Sequence, residues 1–250
     1  MRPMLRAALQ IAIEDPHRAV TFVSFACAGA EATFGLLIHY RGTEWAPDQP
    51  DKPQVSSAAR AQCGGEPVVE ENYPTAFSLN GKIPELDNIF IAKCPRENAR
   101  RIDLLLLSVG GNDIGFASLV ANAVLDDQSV LRKVGGWMGK IYDRERGEEH
   151  LPELTLRYKA INRALHGNLS IPWSESDRVL LTAYPVMSLL EDGRSVCPDG
   201  SAGMGVYPEF RLSEEKAREG EVAAEALDRT MRAAAGSFGW SYVDGHRQAF

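Results

Sequence analysis

The apolar positions of this chain fall into two kinds of run. Short unbroken runs at residues 20–25, 104–107 and 179–183 are rich in Val, Leu, Phe and Thr and read as strands. Elsewhere the apolar residues recur at helical spacing. Leu5, Leu9 and Ile13 share one face of a helix that ends before Pro16. Leu154, Tyr158, Ile161 and Leu165 make a stripe that belongs in a core. Residues 119–134 and 216–235 predict two further helices. The second has Ser213 as N-cap, Glu214 and Glu215 complementing the dipole of its first turn, and Gly236 near its stop. Strands alternating with helices favour a parallel sheet in an α/β fold. Residues 41–98 break this rhythm with prolines, glycines and polar residues, including Pro47-Asp48-Gln49-Pro50-Asp51-Lys52-Pro53. They read as a loop-rich insertion, either a lid or a surface insert, within a single domain spanning 1–250.

The chemistry lies where two of these strands end. The leucine run at 104–107 leads through Ser108 and Val109 into Gly110, Gly111, Asn112 and Asp113. In an open α/β sheet, ligands bind beyond the carboxyl ends of strands. Paired glycines allow a tight turn and close approach of backbone to substrate. Asn112 then presents an uncharged N–H donor, suited to stabilising developing negative charge. The same four residues also make an ordinary strand-ending turn. Residues 20–25 run into Ala26-Cys27-Ala28-Gly29-Ala30-Glu31, where small residues permit close approach and Gly29 offers its own N–H. Close packing of a helix on a sheet selects the same small residues.

Taken together, these segments resemble the SGNH (GDSL-like) hydrolase family, of the secreted actinobacterial esterase and lipase type. The glycine block is Phe25-Ala-Cys-Ala-Gly-Ala30, and the asparagine block is Ser108-Val-Gly-Gly-Asn-Asp-Ile-Gly-Phe116. Leu180-Leu-Thr-Ala-Tyr-Pro185 is similar to the family's next strand, and Gly239-Trp-Ser-Tyr-Val-Asp-Gly-His246 to the approach to its C-terminal histidine region. The resemblance implies a serine esterase or lipase with a three-layer α/β/α, flavodoxin-like fold. It implies no metal and no cofactor, a small-molecule, lipid or glycan ester as substrate, a monomeric state, and an extracellular or cell-envelope location. It casts the Gly29 N–H and the Asn112 side chain as oxyanion donors, with the nucleophile's own N–H as the third.

The chain departs from the family pattern at both ends. The family takes its nucleophile from a Gly-Asp-Ser turn after the first strand. No such triplet occurs here, and residues 1–19 contain no serine. The resemblance therefore implies that the first strand and the attacking serine are missing. The family's base lies in an Asp-x-x-His or His-Gly segment after the last strand, whereas Asp244 and His246 are two apart and the chain reaches Phe250 four residues later. His246 is then either a displaced base partnered by Asp244 or an ordinary loop histidine. Among other nucleophiles, Ser24 is expected as a buried hydroxyl within a strand. Ser108 matches a structural serine of the family pattern. Cys27 would need a lowered pKa and a neighbouring base, so it is expected as a small buried hydrophobe or a disulfide partner.

Composition narrows the partners. A net charge of −7 argues against nucleic acid, whose binders show a basic face. Cys27, Cys63, Cys94 and Cys197 are spaced too widely for local metal ligation. The resemblance to secreted enzymes favours disulfides among them, with the connectivity open. No apolar run approaches the roughly 20 residues of a membrane span. The basic start at Arg2 and Arg6 suggests a signal peptide, but Glu14, Asp15, His17 and Arg18 interrupt the apolar stretch one requires, so export follows from the resemblance alone. Asn168-Leu169-Ser170 fits a glycosylation sequon. Three readings follow: an ester hydrolase of SGNH type retaining mainly its oxyanion part, an inactive relative that binds an acylated or glycosylated ligand, or the non-functional product of a truncated reading frame with an exposed sheet edge.

Overall fold

The computed structural model describes residues 3–15, 17, 19–39, 53–72, 89–115, 133, 144–185, 189–190, 192, 194–196, 198 and 214–248. In chain order the elements are α1 (Pro3–Glu14), α2 (Gln54–Cys63), β1 (Val69–Asn72), β2 (Phe90–Lys93), β3 (Leu105–Leu107), α3 (Arg144–Glu149), α4 (Leu151–Gly167), β4 (Val179–Thr182), α5 (Glu214–Phe238) and β5 (Ser241–Val243), with 3-10 turns at Trp173–Arg178 and Gly245–Gln248. The main sheet has the order β3-β4-β5 and is parallel throughout, Leu106 lying opposite Leu180 and Leu181 opposite Tyr242. This is the α/β arrangement expected from the alternation of strands and helices.

Parallel strands covered on both faces favour continuous apolar runs. The central strand obeys this, with Val179 and Leu181 buried. The three leucines of β3 stay partly exposed, because among the described residues that strand has a neighbour on one side alone. Over the sheet, α4 packs on α5 and α5 on β5. The predicted stripe of Leu154, Tyr158, Ile161 and Leu165 is fully buried, facing Leu227, Met231 and Ala235 in one core. Trp240 closes this core just before β5. Its ring meets Tyr158 edge-on, with centroids 6.3 Å apart, and its Nε1–H donates to Asn162 Oδ1 at 3.0 Å.

Several expectations are corrected. Residues 20–25 form no strand: Val20, Phe22 and Val23 are 38%, 39% and 52% exposed. β-branched and aromatic residues favour a pleated surface, but they make a strand only where a neighbour completes the ladder. Helix α1 forms where expected, yet its stripe is uncovered, with Leu9 and Ile13 exposed. Helix α5 continues through Gly236, and the residue that ends it is Gly239, at φ +71°. There the Trp240 N–H returns to the Ala235 carbonyl at 2.9 Å. Glycine inside a helix only weakens it, whereas glycine in the left-handed region terminates it. The helix expected over 119–134, apart from the helical Lys133, and the cap at Ser213 lie outside the described residues.

The stretch read as a loop-rich insertion contains ordered elements in its described part. β1 and β2 pair antiparallel, Val69 opposite Lys93, and α2 packs against β2. A disulfide joins Cys63 at the end of α2 to Cys94 after β2, with Cα atoms 5.3 Å apart. Buried polar groups fasten this unit to the body. Ser56 Oγ accepts from the Ala92 N–H, and Gln62 Nε2 donates to the carbonyls of Arg100 and Leu169. Asn168, the sequon residue, is buried with its amide directed at the Ile91 carbonyl, so that triplet is packing rather than a sugar acceptor. No described helix is long and apolar enough to cross a membrane.

Two stability measurements check this account. A Cβ on Gly236 would meet nothing within 4 Å. Gly236→Ala should therefore raise the unfolding free energy in urea by about 0.5–1 kcal/mol. The Cys63–Cys94 bridge spans 31 residues, and replacing both cysteines by alanine should lower that free energy by about 3–4 kcal/mol.

Candidate functional site

Because the three strands of the main sheet are parallel, their carboxyl ends lie at one edge. Residues 108–115 follow β3 there, Ala183 and Tyr184 follow β4, and Asp244 and His246 follow β5. The Gly-Gly pair is demanded by two tyrosines that close on it. Gly110 sits at φ +122°, and a Cβ there would lie 2.3 Å from the Tyr158 hydroxyl. That hydroxyl donates to the Val109 carbonyl at 2.7 Å. A Cβ on Gly111 would lie 2.8 Å from the Tyr184 ring. The Tyr184 hydroxyl in turn bonds the Gly111 backbone and the Ser108 side chain. Burial holds the pKa of both phenols above its ordinary value, so they keep their protons at neutral pH.

The next two residues reach across to the glycine block. Asn112 Nδ2 donates to the Ala30 carbonyl at 2.9 Å. The Ala32 N–H is shared between both carboxylate oxygens of Asp113, at 3.1 Å each. Gly29 adjoins Ala30 in a turn at φ +78°, and Gly35, at φ +115°, brings its backbone against Ala30 so closely that a Cβ would stand 2.5 Å from the Ala30 Cβ. The structure thus brings Gly29 and Asn112 to one place. A primary amide carries two hydrogens. One is spent on Ala30, and the other has no partner among the described residues.

Asp113 is the charged member of this junction, with its side chain 1% exposed. Burial pushes its carboxyl above the usual range. Arg157, whose Nη1 lies 2.9 Å from Asp113 Oδ1, and the Ala32 N–H pull it back. The same nitrogen lies 3.3 Å from Glu31 Oε2. Arg157, Tyr158, Tyr184 and Glu31 are not among the site residues expected from the sequence. One signal pointed to such a partner: an aspartate in a buried turn needs a cation, and Arg157 adjoins the core residue Tyr158.

The structure does not bring Asp244 and His246 together. Asp244 Oδ2 lies 2.8 Å from Arg232 Nη2, which also pairs with Asp228. The bond to Asp244 and the pairing with Asp228 raise the Arg232 pKa against a small opposing effect of burial. His246 Nε2 lies 2.9 Å from the Ala183 carbonyl oxygen, which requires the tautomer protonated at Nε2. Among the alternative nucleophiles, Ser24 and Cys27 also differ from expectation. Ser24 is exposed, not buried, since its segment has no strand to lie in. Ser108 is exposed and bonded to Tyr184. Cys27 is exposed and outside any described disulfide, its thiol 3.6 Å from the Phe25 carbonyl. A serine does meet a histidine elsewhere, Ser176 Oγ at 3.4 Å from His166 Nε2, but that hydroxyl is buried and donates to the Trp173 carbonyl. Among the described residues no group of three or more His, Cys, Asp or Glu could hold a metal ion.

No protein-family model matches the chain, and no curated protein matches it. Among solved structures it is similar to the extracellular lipase from Streptomyces rimosus, with a TM-score of 0.39 and 18% identity. The match covers 57% of this chain and 49% of that one, so it spans about half the length of the lipase. At that similarity no residue is assigned by position, and the chemistry has to come from the geometry itself.

The two glycines supply a test of the loop. Gly110→Ala and Gly111→Ala should each lower the unfolding free energy by about 1–3 kcal/mol, through backbone strain at the first and overpacking at both. Adding Tyr158→Phe to Gly110→Ala should recover part of that loss, which a double-mutant cycle in urea would measure.

Proposed function

We propose that this chain carries the oxyanion-stabilising part of an SGNH-type serine hydrolase site acting on carboxylic esters, with the Gly29 N–H and the Asn112 side-chain amide as donors. The supporting observation is the Asn112–Ala30 hydrogen bond, which sets beside the Gly29 turn an amide whose second hydrogen has no partner among the described residues. During acyl transfer, negative charge collects on the former carbonyl oxygen. A neutral donor fixed in advance stabilises that charge without reorganising, and losing one such donor costs about 3–4 kcal/mol of transition-state stabilisation. In this reading the serine comes from a strand lying between the open side of β3 and residues 20–25, both unpaired among the described residues. The substrate is a small-molecule, lipid or glycan ester. The Cys63–Cys94 disulfide favours an oxidising, extracellular or envelope location.

A second reading, a binding domain for an acylated or glycosylated ligand, is favoured by the histidine. An imidazole that activates a serine needs an unprotonated nitrogen on the hydroxyl and a carboxylate on the other nitrogen. Here His246 has Nε2 on Ala183, and Asp244 bonds Arg232. The folded chain should be treated with a fluorophosphonate and read by intact mass, with aryl acetate hydrolysis measured alongside. In the hydrolase reading the chain as it stands gives neither adduct nor turnover; one adduct per chain with turnover would put a nucleophilic serine within it, and that turnover should then fall by about 10²–10³ in Asn112→Ala. Turnover that ignores this substitution overturns the oxyanion role. Folded protein that binds an acylated or glycosylated ligand, with neither adduct nor turnover, selects the binding domain.

A further inference from the structure

We propose that Arg157 is a positioning residue of this site: by pairing with Asp113 and Glu31 together, it fastens the 29–35 loop to the loop after β3 and so sets the Asn112 amide against the Gly29 N–H. The fastening stands on the geometry, and its purpose rests on the proposed function. Asn112 and Asp113 are consecutive, and they grip the Ala30 carbonyl and the Ala32 N–H, the two backbone groups on either side of Glu31. The first grip is a neutral hydrogen bond. The second is a carboxylate taken almost wholly out of water, and such a charge is strongly destabilising when left without a cation.

Arg157 meets that demand from α4, with its own side chain 16% exposed. Its Nη1 lies 2.9 Å from Asp113 and 3.3 Å from Glu31, and its Nη2 lies 3.6 Å from Glu153 one helical turn away. The neighbouring Tyr158 holds the Val109 carbonyl at the other end of the same loop. Two successive residues of one helix therefore brace both ends of the asparagine loop, and only Arg157 also reaches the glycine block. A guanidinium spans two carboxylates with a planar fork, whereas a lysine ammonium acts as a point charge. The groups facing Asp113 are Arg157 and Tyr158 on α4, Tyr184 after β4 and the Glu31 side chain through its shared arginine. Without the guanidinium, burial is left to raise the Asp113 pKa further. Proton uptake then begins at a higher pH, and the grip on Ala32 weakens as the pH falls through that range.

The test is amide exchange by NMR on the full chain, comparing wild type, Arg157→Gln and Arg157→Lys between pH 5 and 8, with Leu181 in β4 as an internal standard. Arg157→Gln should speed exchange at Ala32 about tenfold or more relative to Leu181, and more steeply towards pH 5. Arg157→Lys should restore the flat pH profile, because it returns a cation to Asp113. A titration with methyl butylphosphonate, an anion of tetrahedral shape, should shift the wild-type Asn112 side-chain signals and bind about tenfold more weakly to Arg157→Gln. Unchanged exchange at Ala32 overturns the proposal. Equal release of Ala32 and Leu181 also overturns it, since Arg157 would then support the fold at large. Selective release of Ala32, with no phosphonate response in wild type, upholds the fastening and sinks the oxyanion reading instead.

Discussion

The hydrogen bond from the buried Tyr158 hydroxyl to the Val109 carbonyl ties the core of this molecule to the start of its candidate site. Leaving either group unmade in the interior would cost about 1–3 kcal/mol, so the ring is fixed at both ends. Its body packs edge-on against Trp240, and its hydroxyl sets how near the chain after β3 can come. A glycine at 110 follows, because no larger residue fits under that hydroxyl. With Gly110 in place the chain turns, and Asn112 and Asp113 are delivered to the glycine block. Sequence, packing and site are thus linked through one phenol.

The two residues so delivered divide the work. Asn112 makes an uncharged contact and, among the described residues, keeps one amide hydrogen without a partner. Asp113 makes a charged contact that cannot stand alone in the interior, and it recruits Arg157, which recruits Glu31. Ion pairs at the surface, such as Arg60–Glu70 and Lys93–Glu71, share the same geometry but contribute little, because water screens them. Burial separates the pairs that shape the molecule from those that decorate it.

Local patterns were readable from the sequence wherever the cause was itself local. The stripe of α4, the strand β4, and the strand-glycine-glycine break at β3 all follow from spacing and the need to cover apolar surface. Residues 20–25 carry the same strand-like pattern, but pairing depends on a neighbour that their own composition does not specify. Helix α2 with β1 and β2 escaped notice because a disulfide and buried amides, not periodicity, hold them. At the candidate site, Gly29 and Asn112 stood out in the sequence by residue type, and the structure brings their loops together, while their role as donors rests on the proposal. Arg157 did not stand out, since an arginine on a helix face looks the same whether it meets water or a buried carboxylate. Asp244 and His246 show the converse: close in sequence, they take Arg232 and Ala183 as partners instead of each other.

The contacts that assemble the site are long in sequence. Asn112 reaches Ala30 across 82 positions, Asp113 reaches Ala32 across 81, and Arg157 reaches Glu31 across 126. Closing loops of that size costs entropy before any contact forms, and parallel strand pairing adds to the delay. The helices can form early from local spacing, whereas the junction of the two loops waits on these long-range closures. The contact of Asn112 with the 29–35 loop is therefore a property of the finished fold, with no counterpart in any partly folded form of the chain.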